Sequence, residues 1–118
     1  DARAAETIRR TFEERRYLAD SHTAVAIAVY EAYKRSTGDL TPAVIASTAS
    51  PFKFSRSVLK ALGEDTSGSE FDLIDRLADI SGLTISSRLA GLRDMAERFT
   101  GCIEPADMKS FISKGLIK

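Results

Sequence analysis

Ser47, Thr48 and Ser50 place three hydroxyls within four consecutive positions of this 118-residue chain, a group of side chains able to hold a polar ligand. They follow directly on Ala43-Val44-Ile45-Ala46, a short apolar and partly β-branched run that predicts a fully buried strand. In open α/β folds, ligands bind beyond the carboxyl ends of the strands. The same hydroxyls would also serve simply to cap the turn that follows. Other reactive side chains are sparse. Histidine suits acid–base work near neutral pH, and His22 opens an apolar helix whose N-terminus attracts anions, although capping or packing is the more ordinary role there. Lys53 would bring positive charge towards a phosphate or stand as a solvated, helix-flanking lysine. Cys102 has no nearby base to activate it and reads as a buried or incidental thiol.

Composition narrows the classes. Lys+Arg and Asp+Glu both number 17, so no broad basic field exists to attract a nucleic-acid backbone. One cysteine and one histidine leave neither an internal disulfide framework nor a metal cluster of usual spacing, and a reducing, cytoplasmic setting fits. The longest apolar run, Ala24 to Tyr30, is far short of the roughly 20 residues that a membrane span needs. With 43% hydrophobic and 29% charged residues the chain has the composition of a globular unit. It begins at Asp1, as a piece of a longer protein would.

The elements that must position these residues are mostly helical. Ala5, Ile8 and Phe12 recur at helical spacing and predict an amphipathic helix from Ala2 to about Arg16, with Glu6 and Arg10 as an i,i+4 pair. His22 to about Arg35 predicts a second helix. Its Ala24–Tyr30 stretch leaves no polar face over nearly two turns and therefore requires cover on all sides. After Gly38, Pro42 and the predicted strand, Ser55 is expected to cap a helix that Gly63 stops, with Phe54 and Leu59 as a hydrophobic staple. Glu64–Ser69 reads as an exposed linker. Ser69 and Asp72 form a capping-box pattern ahead of a helix carrying Phe71, Ile74, Leu77 and Ala78 on one face and ending at Gly82. Leu89, Leu92, Ala96 and Phe99 predict a further helix after Ser86, and Pro105 opens a last one with Met108, Phe111 and Ile112. The fold class read from these elements is thus predominantly α, with one short strand. A lone strand cannot satisfy its own backbone groups, so its sheet neighbours are expected in another part of the protein or, failing that, in a second copy of the chain.

Three blocks in order carry a family resemblance: Asp20-Ser21-His22-Thr23-Ala24-Val25-Ala26, Ala46-Ser47-Thr48-Ala49-Ser50-Pro51-Phe52-Lys53-Phe54, and Leu83-Thr84-Ile85 with Leu89-Ala90-Gly91-Leu92. Together they resemble the closing portion of threonine synthases of the long, yeast- and bacterial-type branch, and the middle block is the specific one. The resemblance implies a fold-type II pyridoxal-phosphate (PLP) enzyme that converts O-phosphohomoserine and water into threonine and phosphate, with these elements as the helical C-terminal portion of its α/β architecture. It implies that Thr48 sits against the pyridine nitrogen of pyridoxal 5'-phosphate. A hydroxyl there leaves the ring nitrogen largely unprotonated, whereas a carboxylate would fix a proton on it. Lys53 does not match the family's Schiff-base lysine, because that motif lies well N-terminal and continues with aspartate where this chain has Phe54. Ser21 stands where the family usually has proline.

No glycine-rich phosphate loop and no Schiff-base lysine motif occur in the 118 residues, so no catalytic residue and no metal ligand are assigned to the chain itself. Residues 1–63 are expected to belong to the cofactor's α/β domain and residues 64–118 to a C-terminal helical extension. The expected partner is the rest of the parent enzyme. The competing readings are a non-catalytic helical interaction module and another fold-type II enzyme acting on serine derivatives.

Overall fold

The computed structural model describes residues 1–98 and 101–116. It is 65% helical, with six α-helices and no strand among the described residues. The helices are α1 (Ala2–Arg15), α2 (Ser21–Thr37), α3 (Ser55–Leu62), α4 (Glu70–Ser81), α5 (Ser87–Ala90) and α6 (Met108–Leu116). The predominantly α class read from sequence therefore holds.

The core is built from one face of each of the first four helices and the segments between them. Ile8 and Phe12 of α1, Leu18 and Ala19 of the connector, and Ala24 of α2 meet Phe52, Val58, Leu59, Leu73, Ile74 and Leu77. Leu59, Leu73 and Leu77 are fully buried, and each withdraws on the order of 2 kcal/mol of apolar surface from water. α1 is the hub, packing on α2 and α3, while α4 closes over α3. Arg10 does not pair with Glu6 as its spacing predicts. It reaches across to Glu31 of α2 at 2.5 Å and lies 4.0 Å from Glu14, because its side chain projects over the α1–α2 seam.

The helix boundaries follow the expected chemistry with one displacement. Gly63 and Gly82 stop α3 and α4 at φ 83° and 70°, a left-handed conformation that is nearly free for glycine. The capping box of α4 is complete in both directions: Ser69 Oγ accepts from Asp72 N–H at 3.3 Å, and Asp72 accepts from Ser69 N–H at 2.8 Å. Ser55, however, is the first residue of α3 and not its cap. Pro51 initiates a 3-10 turn over Pro51–Phe54 that feeds straight into α3, so the capping role moves one turn back to Ser50, which accepts from Phe52 N–H at 3.3 Å. Ser55 instead donates to Phe52 C=O. The 64–69 linker is exposed as expected, yet it is pinned from both sides. Arg56 donates to Thr66 C=O at 2.5 Å and Arg76 to Asp65 C=O at 2.6 Å.

The strand expected at Ala43–Ala46 is not formed. The segment has no regular secondary structure, because no second strand among the described residues offers it a ladder. It keeps the alternation of an extended chain all the same: Ala43 and Ile45 line a groove against α2 while Val44 between them is 98% exposed. The cover required by α2 is likewise incomplete. Ala24 and Ala28 are buried beneath α1, but Val25, Val29 and Tyr33 on the other side are 51%, 62% and 48% exposed.

After Ser81 none of the described residues is buried. The helix expected after Ser86 is reduced to α5 and a 3-10 turn at Gly91–Asp94, and its last position, Phe99, lies outside the described residues. Arg93 ties this segment back to α4 through Asp75 at 2.7 Å. α6 follows a 3-10 turn that Pro105 opens, as its sequence predicts, but Met108, Phe111 and Ile112 are exposed. The radius of gyration is 18.7 Å, against about 13.5 Å for a compact domain of this length. The apolar faces of α2, the 40–46 segment and α6 thus have no counterpart in the described fold.

Candidate functional site

The N-terminus of α2 and the hydroxyl-rich loop meet around one buried carboxylate. Asp20 is the N-cap of α2, with 1% of its surface exposed, and accepts from the His22 and Thr23 amides at 2.8 and 3.4 Å. These are two of the donors that every helix N-terminus leaves unpaired, which is why a carboxylate belongs there. The Thr23 hydroxyl makes a short contact with the other carboxylate oxygen, and His22 Nδ1 lies 3.2 Å from the first. A carboxylate only accepts, so the His22 contact requires the proton to be on Nδ1. Burial on its own would push the Asp20 carboxyl up. The hydrogen bonds from the Thr23 hydroxyl and the two amides outweigh it and hold the group below its ordinary value.

Thr23 Oγ1 is also 3.1 Å from Ser47 Oγ, which brings the start of α2 to the loop bearing Thr48. Thr48 itself is exposed, and its hydroxyl makes no hydrogen bond among the described residues, leaving it available to a ligand. His22 is 71% exposed at its side chain and packs at a tilt against Phe54 of the 3-10 turn, with ring centroids 5.1 Å apart and planes at 54°. Phe54 therefore flanks the site on this side, and it also packs against the core cluster that contains Leu59. Lys53 is exposed on the same turn, matching a solvated lysine. Cys102 is exposed and far along the chain, so it is incidental and not buried.

The structure therefore brings Ser47, His22 and the approach to Thr48 together, and neither Lys53 nor Cys102 contacts the buried carboxylate. It adds Asp20 and Thr23, to which sequence reasoning assigned no role. The signal for Asp20 is present in the sequence, since an aspartate one turn ahead of the apolar Ala24–Tyr30 run is an N-cap pattern. Nothing in the sequence links Thr23 to Ser47. No group of histidine, cysteine and carboxylate side chains able to hold a metal ion is found among the described residues.

The fold is thus an elongated, part-covered helical unit, in which the Thr48 hydroxyl is left without a partner among the described residues. The threonine synthase, C-terminal, family model matches residues 23–112, and the chain belongs to that family. Threonine synthases are PLP-dependent lyases of threonine biosynthesis, and a C-terminal domain of one is part of a larger enzyme. The matched span includes Thr23, Ser47 and Thr48 and begins after Asp20 and His22. A comparison with curated proteins finds no match. No helix among the described residues is long and apolar enough to cross a membrane.

Proposed function

We propose that this chain is the C-terminal portion of a PLP-dependent threonine synthase that turns O-phosphohomoserine and water into threonine and inorganic phosphate, and that Thr48 holds the pyridine nitrogen of the cofactor. The observation that carries the assignment is the Thr48 hydroxyl, exposed and without a partner among the described residues at the end of an extended segment. The fit to PLP is confined to this pyridine end, since the chain has no glycine-rich loop for the phosphate and no Schiff-base lysine motif. When bound, the cofactor supplies the electron sink for elimination and replacement at the substrate's side chain. Thr48 contributes a neutral contact that leaves the ring nitrogen largely unprotonated.

Residues 1–63 belong in this reading to the cofactor domain and residues 64–118 to a helical extension on it, in a cytoplasmic enzyme. The upstream portion covers Val25, Val29 and Tyr33 and adds a strand beside Val44. That exposed apolar surface speaks against a stand-alone interaction module. Catalysis needs the upstream portion, and the 118 residues alone are inactive.

The test is made on the full-length protein that contains this segment, assayed with O-phosphohomoserine and with O-acetylserine. Turnover of the first alone supports the reading. Thr48→Val should then lower turnover about 5- to 30-fold, the loss of one hydrogen bond to a polar group, while the Schiff-base absorption of the cofactor survives. Turnover equal to wild type would remove Thr48 from the site.

A further inference from the structure

Residues 42–49 make a single hydrogen bond among the described residues, and it is the contact of Ser47 with Thr23. On either side the chain is tied more firmly. Thr41 donates its amide to Asp39 and accepts from Tyr30, and Ser50 accepts from the amides of Phe52 and Lys53. The position of Thr48, one residue beyond Ser47, thus depends on one polar anchor.

That anchor is stiff at its far end. Thr23 is 4% exposed and Asp20 1%, and the Asp20 carboxylate is held by two amides of α2 as well as by the Thr23 hydroxyl. A threonine hydroxyl has one proton. Against a group that can only accept, that proton goes to Asp20, so Ser47 supplies the donor across the 3.1 Å gap to Thr23. The resulting order, Ser47 to Thr23 to Asp20, polarises each bond in the same sense. A threonine in a helix has two favoured χ1 rotamers, and the hydrogen bond to Asp20 selects one of them for Thr23.

We propose that Thr23 and Ser47 are positioning residues, which carry the fixed location of the Asp20 carboxylate across to the loop and so set where the Thr48 hydroxyl meets the cofactor ring. The proposal rests on the reading of Thr48 given above. It assigns no contact between Thr23 and the cofactor.

The experiment uses the full-length, PLP-loaded enzyme with Thr23→Val, Thr23→Ser, Ser47→Ala and Thr48→Val, singly and with Thr23→Val combined with Thr48→Val. Absorption of the bound cofactor is recorded beside kcat and KM. Thr23→Val and Ser47→Ala should each shift the absorption in the direction that Thr48→Val does, lowering kcat about 5- to 30-fold with KM nearly unchanged. Thr23→Ser should restore both. On the Thr48→Val background Thr23→Val should add little, because the two act on one contact.

If Thr48→Val shifts the spectrum but Ser47→Ala does not, or if the Thr23 and Thr48 effects multiply, the positioning role is overturned while Thr48 keeps its assignment. If Thr48→Val changes neither spectrum nor turnover, the Thr48 reading falls first and the positioning role with it. Should Thr23→Val fail to fold, Ser47→Ala decides the question, since Ser47 is exposed and its loss leaves no cavity.

Discussion

The hydroxyls of Thr23 and Ser47 stand 3.1 Å apart although 24 positions separate them in the chain. Through this pair a helix N-terminus and a loop without regular structure become one site. Thr23 is buried and shares its hydroxyl with Asp20; Ser47 is exposed and precedes Thr48, the residue proposed to meet the cofactor.

Asp20 should govern the acid limit of stability. Its carboxyl is held below the ordinary value in the fold, so the folded state binds fewer protons than the unfolded one at mildly acidic pH. The stabilisation is present above the unfolded value of about 3.9 and is lost as pH falls through the lower folded one. Asp20→Ala, removing the cap and stranding the Thr23 hydroxyl, should cost about 2–4 kcal/mol at neutral pH. Denaturant melts from about pH 6 to about pH 3 should show the gap between variant and wild type closing on acidification. A gap independent of pH would show that Asp20 acts by packing alone.

The burial pattern separates two classes of leucine. Leu59 and Leu73 are 0% exposed in the core, whereas Leu92 is 50% exposed beyond α4. Leu59→Ala and Leu73→Ala should each lower stability by about 2–5 kcal/mol, and Leu92→Ala by less than about 0.5 kcal/mol. Urea unfolding followed by circular dichroism measures all three, and a large loss at Leu92 would mean that the tail packs more tightly than its exposure indicates.

The 64–69 turn owes its order to two arginines. Arg56 meets the Thr66 and Gly68 carbonyls and also Glu70, while Arg76 holds Asp65. Arg56→Gln should raise the rate of cleavage after Glu64 by a glutamate-specific protease about three- to tenfold with little change in melting temperature, because only local opening becomes easier. An unaltered rate would assign the pinning to Arg76 alone.

Exposed apolar groups on α2 and at Val44 should make the isolated 118 residues associate through the faces that the rest of the enzyme would cover. Sedimentation over a concentration series should show oligomers, and Val29→Lys with Val44→Lys should return them to monomer. A wild-type chain that stays monomeric at high concentration would refute this use of the surface.

Local chemistry was legible in the sequence. The left-handed stops at Gly63 and Gly82, the Ser69–Asp72 capping box and the buried stripe of Leu77 and Ile74 depend on residues within one or two turns of each other, where spacing alone sets geometry. So did the resemblance that marks Thr48, because a motif of consecutive residues needs no fold to be recognised. What required the tertiary structure was whatever joins distant positions. Arg10 chose Glu31 on another helix over Glu6 on its own, and Ala43–Ala46 stayed without a ladder because a strand is defined by its neighbour and not by its residues. The tie from Asp20 through Thr23 to Ser47 is of the same kind: the cap could be read from one residue, but its reach to the Thr48 loop came only from the packing of α2 against that segment.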